Sequence, residues 1–90
     1  MLALPADLVQ ATARPALQVL MNTLAEQGPG SVVVDAGGLT RFDSTALAVC
    51  LQLIRVASKA GQTLVWQAIP ERLASLARLY GIAELLPAQA

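Results

Sequence analysis

A strand pattern, a glycine turn and an apolar helix pattern follow one another directly in the middle of this chain. The segment from Val32 to Ile54 reads VVVDAGGLTRFDSTALAVCLQLI. Its first part predicts a central strand that ends at Asp35 and is covered on at least one face. An Asp-Ser-Thr step at residues 43–45 precedes the helix pattern. Such a step brings hydroxyls and free backbone N–H groups to one exposed position at the helix N-terminus.

This Asp-Ser-Thr step has three interpretations, which the sequence leaves open. Asp43 or Ser44 could simply cap the helix by accepting a hydrogen bond from an N–H of its first turn. The step could also be a docking site for a partner protein. Finally, Ser44 or Thr45 could accept a phosphoryl group, which would lie at the positive end of the helix dipole. A cap is compatible with either functional role.

Strand and helix patterns alternate along the whole chain, and this order predicts an α/β fold with a largely parallel sheet. Pro15 is expected in the first turn of the first helix, which would place the start of that helix near Ala13 or Arg14. Strands are expected at residues 2–4, 31–36 and 63–68, and helices at about residues 13–27, 44–60 and 70–80.

Apolar spacing predicts which helix faces are buried. On the third helix, a buried stripe is expected at Leu73, Leu76, Ala77 and Tyr80. On the second helix, three apolar residues fall outside the main core arc and cluster near Thr45. These residues, Ala48, Val49 and Val56, are therefore candidates for contact with a partner.

Composition argues against several classes of function. The 90 residues contain no histidine, one cysteine, and six basic and six acidic side chains. We therefore expect no metal centre, no cofactor, no catalytic residues and no nucleic-acid partner. No apolar run reaches the ~18–20 residues of a transmembrane helix, so direct membrane insertion is not expected. Because 56% of the residues are apolar, we expect a partner to cover part of the surface.

The strand and the polar step resemble those of STAS domains. In that family a strand ending in Asp leads to an Asp-Ser-(Ser/Thr)-Gly tetrad at the start of the second helix. The tetrad here is Asp43-Ser44-Thr45-Ala46, with Ala in place of the usual Gly. The resemblance implies a single STAS domain over residues 1–90. Residues 2–4 match what is normally the second strand, so either the start is trimmed or another element covers that edge.

A narrower resemblance is to the MlaB-type STAS subunit of the bacterial phospholipid transporter that maintains outer-membrane lipid asymmetry. It rests on LAL followed by ADL near the start, on DSTAL at the second helix, and on LARLY followed by LLP at residues 85–87. The resemblance implies a non-catalytic cytoplasmic subunit, peripheral to the inner membrane, that binds and stabilises or activates the ATPase of this ABC transporter. It also implies that Ser44 is the docking hydroxyl.

Anti-anti-sigma factors are the alternative, since they are STAS proteins that a partner kinase phosphorylates within the tetrad. This resemblance would place the phosphoacceptor at Thr45. Across both readings the candidate phosphoacceptors are Ser44 and Thr45. The candidate partner-binding residues are Asp43, Ser44, Thr45, Ala48, Val49 and Val56.

We predict that the isolated domain self-associates, most simply as a two-fold dimer. An unpaired strand edge at residues 2–4 is a template for a second strand, and the apolar part of the second helix is an alternative contact. The zero formal net charge limits repulsion between copies. Light scattering at micromolar concentration measures this, and a clean monomer would contradict it.

Overall fold

The computed structural model describes residues 1–85 and 88–89, and it confirms an α/β fold with a mostly parallel sheet. Leu86 and Pro87, which belong to the LLP motif, lie outside the described residues. None of the described helices is both long and apolar enough to cross a membrane. The helices are α1 (Gln10–Glu26), α2 (Thr45–Lys59) and α3 (Glu71–Leu79), and the strands are β1 (Leu2–Ala3), β2 (Asp7–Leu8), β3 (Gly30–Asp35), β4 (Arg41–Phe42), β5 (Gln62–Gln67) and β6 (Ala88–Gln89).

The main sheet has four strands in the order β1-β3-β5-β6, and every neighbouring pair is parallel. Its centre is the pairing of β3 with β5, in which Val34 lies opposite Trp66. Both side chains are buried in one core with residues from all three helices. The other face of the same two strands carries exposed Ser31 and Thr63. The helices therefore cover one face of the sheet.

Strand β1 forms one edge of this sheet. Within the described residues its only strand neighbour is β3, and the N–H of Leu4 extends that pairing by donating to the carbonyl of Asp35 over 2.9 Å. The short strands β2 and β4, which the sequence analysis did not predict, form a separate parallel pair. That pair brings the chain segment before α1 alongside the segment before α2.

Asp35 closes the turn that follows β3. Its Oδ1 accepts a hydrogen bond from the N–H of Gly37 over 2.8 Å. A Cβ atom at Gly37 would lie 3.0 Å from that oxygen and 3.1 Å from the Cβ of Ala68. The turn therefore requires glycine because a side chain would crowd both neighbours.

The predicted start of α1 near Ala13 is wrong, because the helix begins at Gln10. The first turn closes further upstream, where the N–H groups of Thr12 and Ala13 both donate to the carbonyl of Val9. The hydroxyl of Thr12 in turn accepts a hydrogen bond from the N–H of Val9 over 3.2 Å. Pro15 consequently lies beyond the first turn, on an exposed side of the helix. There water can solvate the carbonyl that its missing N–H leaves without a partner.

The C-terminus of α1 is capped by a side chain from β5. Gln62 is 7% exposed and is the only polar residue among the buried residues of the described chain. Its Nε2 donates hydrogen bonds to the carbonyls of Leu24, over 2.8 Å, and Gly28, over 2.7 Å. Carbonyls at a helix C-terminus lack intrahelical donors. A residue far along the chain therefore donates the hydrogen bonds that carbonyls at the end of α1 would otherwise lack.

Replacing Gln62 by alanine should lower the free energy of unfolding by about 1–3 kcal/mol, because it leaves buried carbonyls without their donor. Chemical denaturation of the purified domain measures this loss. Gln67→Ala is the matched control, since Gln67 lies on the same strand but is exposed. Equal stability of the Gln62 and Gln67 variants would show that the cap contributes nothing.

Candidate functional site

The Asp-Ser-Thr step lies between β4 and α2 and is anchored from α3. The guanidinium of Arg72 lies over the ring of Phe42, with its central carbon 4.9 Å from the ring centroid. One of its N–H groups also donates to the carbonyl of Phe42 over 3.1 Å. Phe42 itself is buried. These contacts fix the backbone immediately before Asp43.

Asp43 provides the cap of α2. Its carboxylate accepts a hydrogen bond from the N–H of Thr45 over 2.8 Å. The hydroxyl of Thr45 and its N–H, with a smaller contribution from the N–H of Gln10, hold the pKa of this carboxyl below its ordinary value. Gln10 is the first residue of α1, so the start of that helix lies on the same side of the molecule as the cap of α2. The interpretation of Asp43 as a cap is confirmed.

Ser44 takes no part in this cap. It lies immediately before the first residue of α2 and has helical backbone angles, with φ at −62° and ψ at −17°. Its side chain makes no capping hydrogen bond, and the residue is exposed. Within the described part of the chain, the hydroxyl of Ser44 is therefore available to another molecule.

Thr45 has a different environment from Ser44. It is half-buried, and its N–H donates to the Asp43 carboxylate. Phosphorylation of Thr45 would place a second negative charge beside Asp43. The two hydroxyls of the step are therefore not equivalent, and Ser44 is the more accessible one.

The prediction that Val49 lies outside the core is wrong, because this side chain is 3% exposed. Val56 is half-buried and packs against the core. Of the three apolar candidates on α2, Ala48 alone is exposed. The physical reason is the packing of α1 beside α2, which widens the buried arc of α2 beyond the face that contacts the sheet.

Two depressions flank the exposed start of α2, and Ala48 lies between them. The first depression, here the α1 groove, separates α2 from α1. The second, here the α3 groove, separates α2 from the end of α3 and has a volume of about 280 Å³. Residues lining the α1 groove include Gln10, Ala13, Arg14, Leu17, Thr45, Ala48, Val49 and Gln52. Residues lining the α3 groove are Ser44, Leu47, Ala48, Leu51, Tyr80 and Ile82.

Tyr80 is a site residue that the sequence analysis placed in the core. The structure leaves 58% of it exposed, and it forms one wall of the α3 groove. Helix α3 ends at Leu79. The N–H of Tyr80 still donates to the carbonyl of Leu76 over 3.0 Å, but Tyr80 is the C-cap residue and the core does not cover its side chain. The signal in the sequence was Gly81 directly after it, because a glycine at this place ends a helix.

The fold is that of a STAS domain. It has a parallel sheet, and α2 begins at the Asp-Ser-Thr step, where Asp43 caps the helix. A family model with the description "Mlab, STAS domain" matches residues 1–87. The chain therefore belongs to the MlaB-type STAS family. STAS domains are in general non-catalytic regulatory or accessory domains. A search of curated proteins found no match to this chain.

We predict that Asp43→Asn destabilises the domain at neutral pH, whereas Ser44→Ala does not. Folding lowers the pKa of Asp43 below its ordinary value of 3.8, so the folded state favours the ionised carboxylate. That stabilisation is present above pH 3.8 and is lost as the pH falls through the lowered folded pKa. Thermal midpoints of the two variants and the unmodified chain should therefore converge in acid. A midpoint that falls equally in both variants at neutral pH would contradict this division of roles.

Proposed function

We propose that this domain is a non-catalytic accessory subunit that docks onto the ATPase of a phospholipid-transport ABC complex. In this role it would stabilise or activate the ATPase of a transporter that maintains outer-membrane lipid asymmetry. The domain would work in the cytoplasm and reach the inner membrane only through the transporter. The start of α2, with Ser44 at its centre, is the proposed contact.

The observation that carries this proposal is the free, exposed hydroxyl of Ser44 in a chain of the MlaB-type family. Asp43 already satisfies the helix N-terminus, so Ser44 has no structural task that would explain it. The apolar depressions on either side of α2 add a surface that a protein partner can fill. Protein interfaces combine apolar contact area with direct hydrogen bonds from polar groups.

The second candidate function is that of an anti-anti-sigma factor controlled by phosphorylation. It would use Thr45 as the phosphoacceptor, and Arg14 in the α1 groove offers a positive charge close to Thr45. Thr45, however, is half-buried, and its N–H donates to the Asp43 carboxylate, which would repel a phosphoryl group on this residue. This geometry favours docking through Ser44 over phosphorylation of Thr45.

We predict that the domain copurifies with an ABC ATPase from its native host and that Ser44→Glu weakens this association. An acidic and larger side chain at Ser44 would block close approach of the partner. The variant should weaken binding about tenfold or more, which is ~1.4 kcal/mol or more. Its unfolding free energy should stay within about 0.5 kcal/mol, because Ser44 is exposed and caps nothing.

Ser31→Glu is the matched control, since Ser31 is also exposed but lies on β3, away from α2. It should retain the ATPase. Thermal melts run beside the binding assay separate lost docking from lost folding. Recovery of a serine kinase and no ATPase would transfer the assignment to the anti-anti-sigma function. Unchanged ATPase binding by Ser44→Glu would remove the start of α2 from the interface.

A further inference from the structure

Helix α3 depends on the rest of the domain for its position. With nine residues it is too short to be stable as an isolated helix, so tertiary contacts must hold it in place. Leu73 and Ala77, which are 0% and 1% exposed, provide its buried contacts. Apolar burial is non-directional, however, and does not by itself fix where a short helix lies along its neighbours.

Arg72 supplies a directional contact. Among the residues that the structure describes, it makes the only side-chain hydrogen bond from α3 to another helix or strand, in which its guanidinium donates to the carbonyl of Phe42 over 3.1 Å. The same group lies 4.9 Å from the centroid of the Phe42 ring. These two contacts are here called the Arg72 clasp. The contacts of Arg78, by contrast, stay within α3 and join it to Ser75 and Glu71.

The clasp uses properties that distinguish arginine from lysine. A planar guanidinium can face an aromatic ring and also donate a hydrogen bond from its edge, whereas a lysine ammonium is a compact point charge. Phe42 is 5% exposed and belongs to the core, so its ring is a fixed platform. Arg72→Lys therefore keeps the charge and the apolar stem but loses the geometry of the clasp.

Helix α3 connects the Asp-Ser-Thr step with the α3 groove. At its first turn, Arg72 contacts the residue directly before Asp43. At its other end, Tyr80 follows the last helical residue and lines the α3 groove, which Ser44 lines from the start of α2. A helix that is fixed at its first turn therefore also fixes Tyr80 relative to Ser44.

We propose that Arg72 is a positioning residue of the docking surface, because its clasp on Phe42 couples the start of α2 to the end of α3 and sets the spacing between Ser44 and Tyr80. Arg72 acts through Phe42 and not through contact with the partner. A surface whose parts are already held in place loses less conformational entropy when it binds. The clasp therefore strengthens docking without adding a contact.

This inference deepens the proposed docking function and rests on it only for the effect of the clasp on binding. The coupling is a property of the isolated chain and is measured without a partner, whereas docking is measured by copurification of the ATPase. If the unmodified chain recovers no ATPase, the proposed function fails. The exchange and NMR measurements below still decide whether the coupling exists.

Amide hydrogen exchange in the full chain measures the effect of the clasp on α2. The N–H groups of Thr45 and Ala46 donate to the carboxylate and the carbonyl of Asp43, respectively. Arg72→Lys should speed exchange of these two amides about fivefold, because the residue before Asp43 is then held less tightly. Exchange of the β3 amides should stay within about twofold, since global stability is unchanged.

NMR of the same chain tests the clasp and the coupling. The Phe42 ring current should shield the side-chain protons of Arg72, and Phe42→Leu should remove this shielding. In Arg72→Lys, the amide resonances of Ser44 and Tyr80 should both shift. Arg78→Lys is the matched control because the contacts of Arg78 stay within α3. It should leave the Ser44 resonance and exchange at the start of α2 unchanged.

Copurification then measures the effect on docking. Arg72→Lys should weaken ATPase binding about threefold or more, and Arg78→Lys should not. Phe42→Leu should also weaken binding, and the double variant should lose little more than Phe42→Leu alone. Such non-additivity identifies action through Phe42, whereas a direct contact of Arg72 with the partner would give additive losses.

Three results would overturn the proposal. The first is unchanged exchange at the start of α2 in Arg72→Lys. The second is a shift at Tyr80 without one at Ser44, and the third is additive losses of binding in the double variant. Circular dichroism of each variant checks that the fold is intact. If Phe42→Leu fails to fold, the comparison of Arg72→Lys with Arg78→Lys still decides the coupling.

Discussion

The parallel pairing of β3 with β5 sets the position of the candidate site. Parallel neighbours need a crossover, and α2 is the helix of that crossover. The register that places Val34 opposite Trp66 provides the buried surface on which α2 packs. Since β3 ends at Asp35, the chain emerges at the carboxyl end of the sheet and must enter α2 from there. The polar step before α2 is therefore exposed at that edge by the topology.

Only one of two adjacent polar residues at this edge caps α2. Asp43 holds the backbone of α2 through the N–H of Thr45 and also faces the start of α1. Arg72 fixes the preceding Phe42 from the third helix. With the backbone held from these sides, Ser44 presents its hydroxyl without contributing to the cap. A site that is fixed by its neighbours in this way can meet a partner with little loss of conformational entropy.

The apolar composition of the chain also finds an explanation on this side of the molecule. Leu79 and Tyr80 are exposed at the end of α3, and the walls of the α3 groove beside Tyr80 are mainly aliphatic. The exposed Ser44 lines the same groove. A partner that covers this surface would bury apolar area and form hydrogen bonds with polar groups, as specific interfaces do.

The sequence by itself determined the α/β class, the parallel sheet, a helix cap at Asp43 or Ser44, and the family, and the structure assigned the cap to Asp43. These follow from local patterns: a β-branched run, helix periodicity, and an acidic residue before a helix. Tertiary structure decided the burial of Val49, the exposure of Tyr80 and the capping of α1 by Gln62, because each depends on which element packs beside it. The packing of α1 against α2 buries Val49. Tyr80 is exposed because it follows the last residue of α3. Strand β5 places Gln62 beside carbonyls that are distant in the chain. Periodicity within one helix carries no information about such neighbours, so only the folded chain could show them.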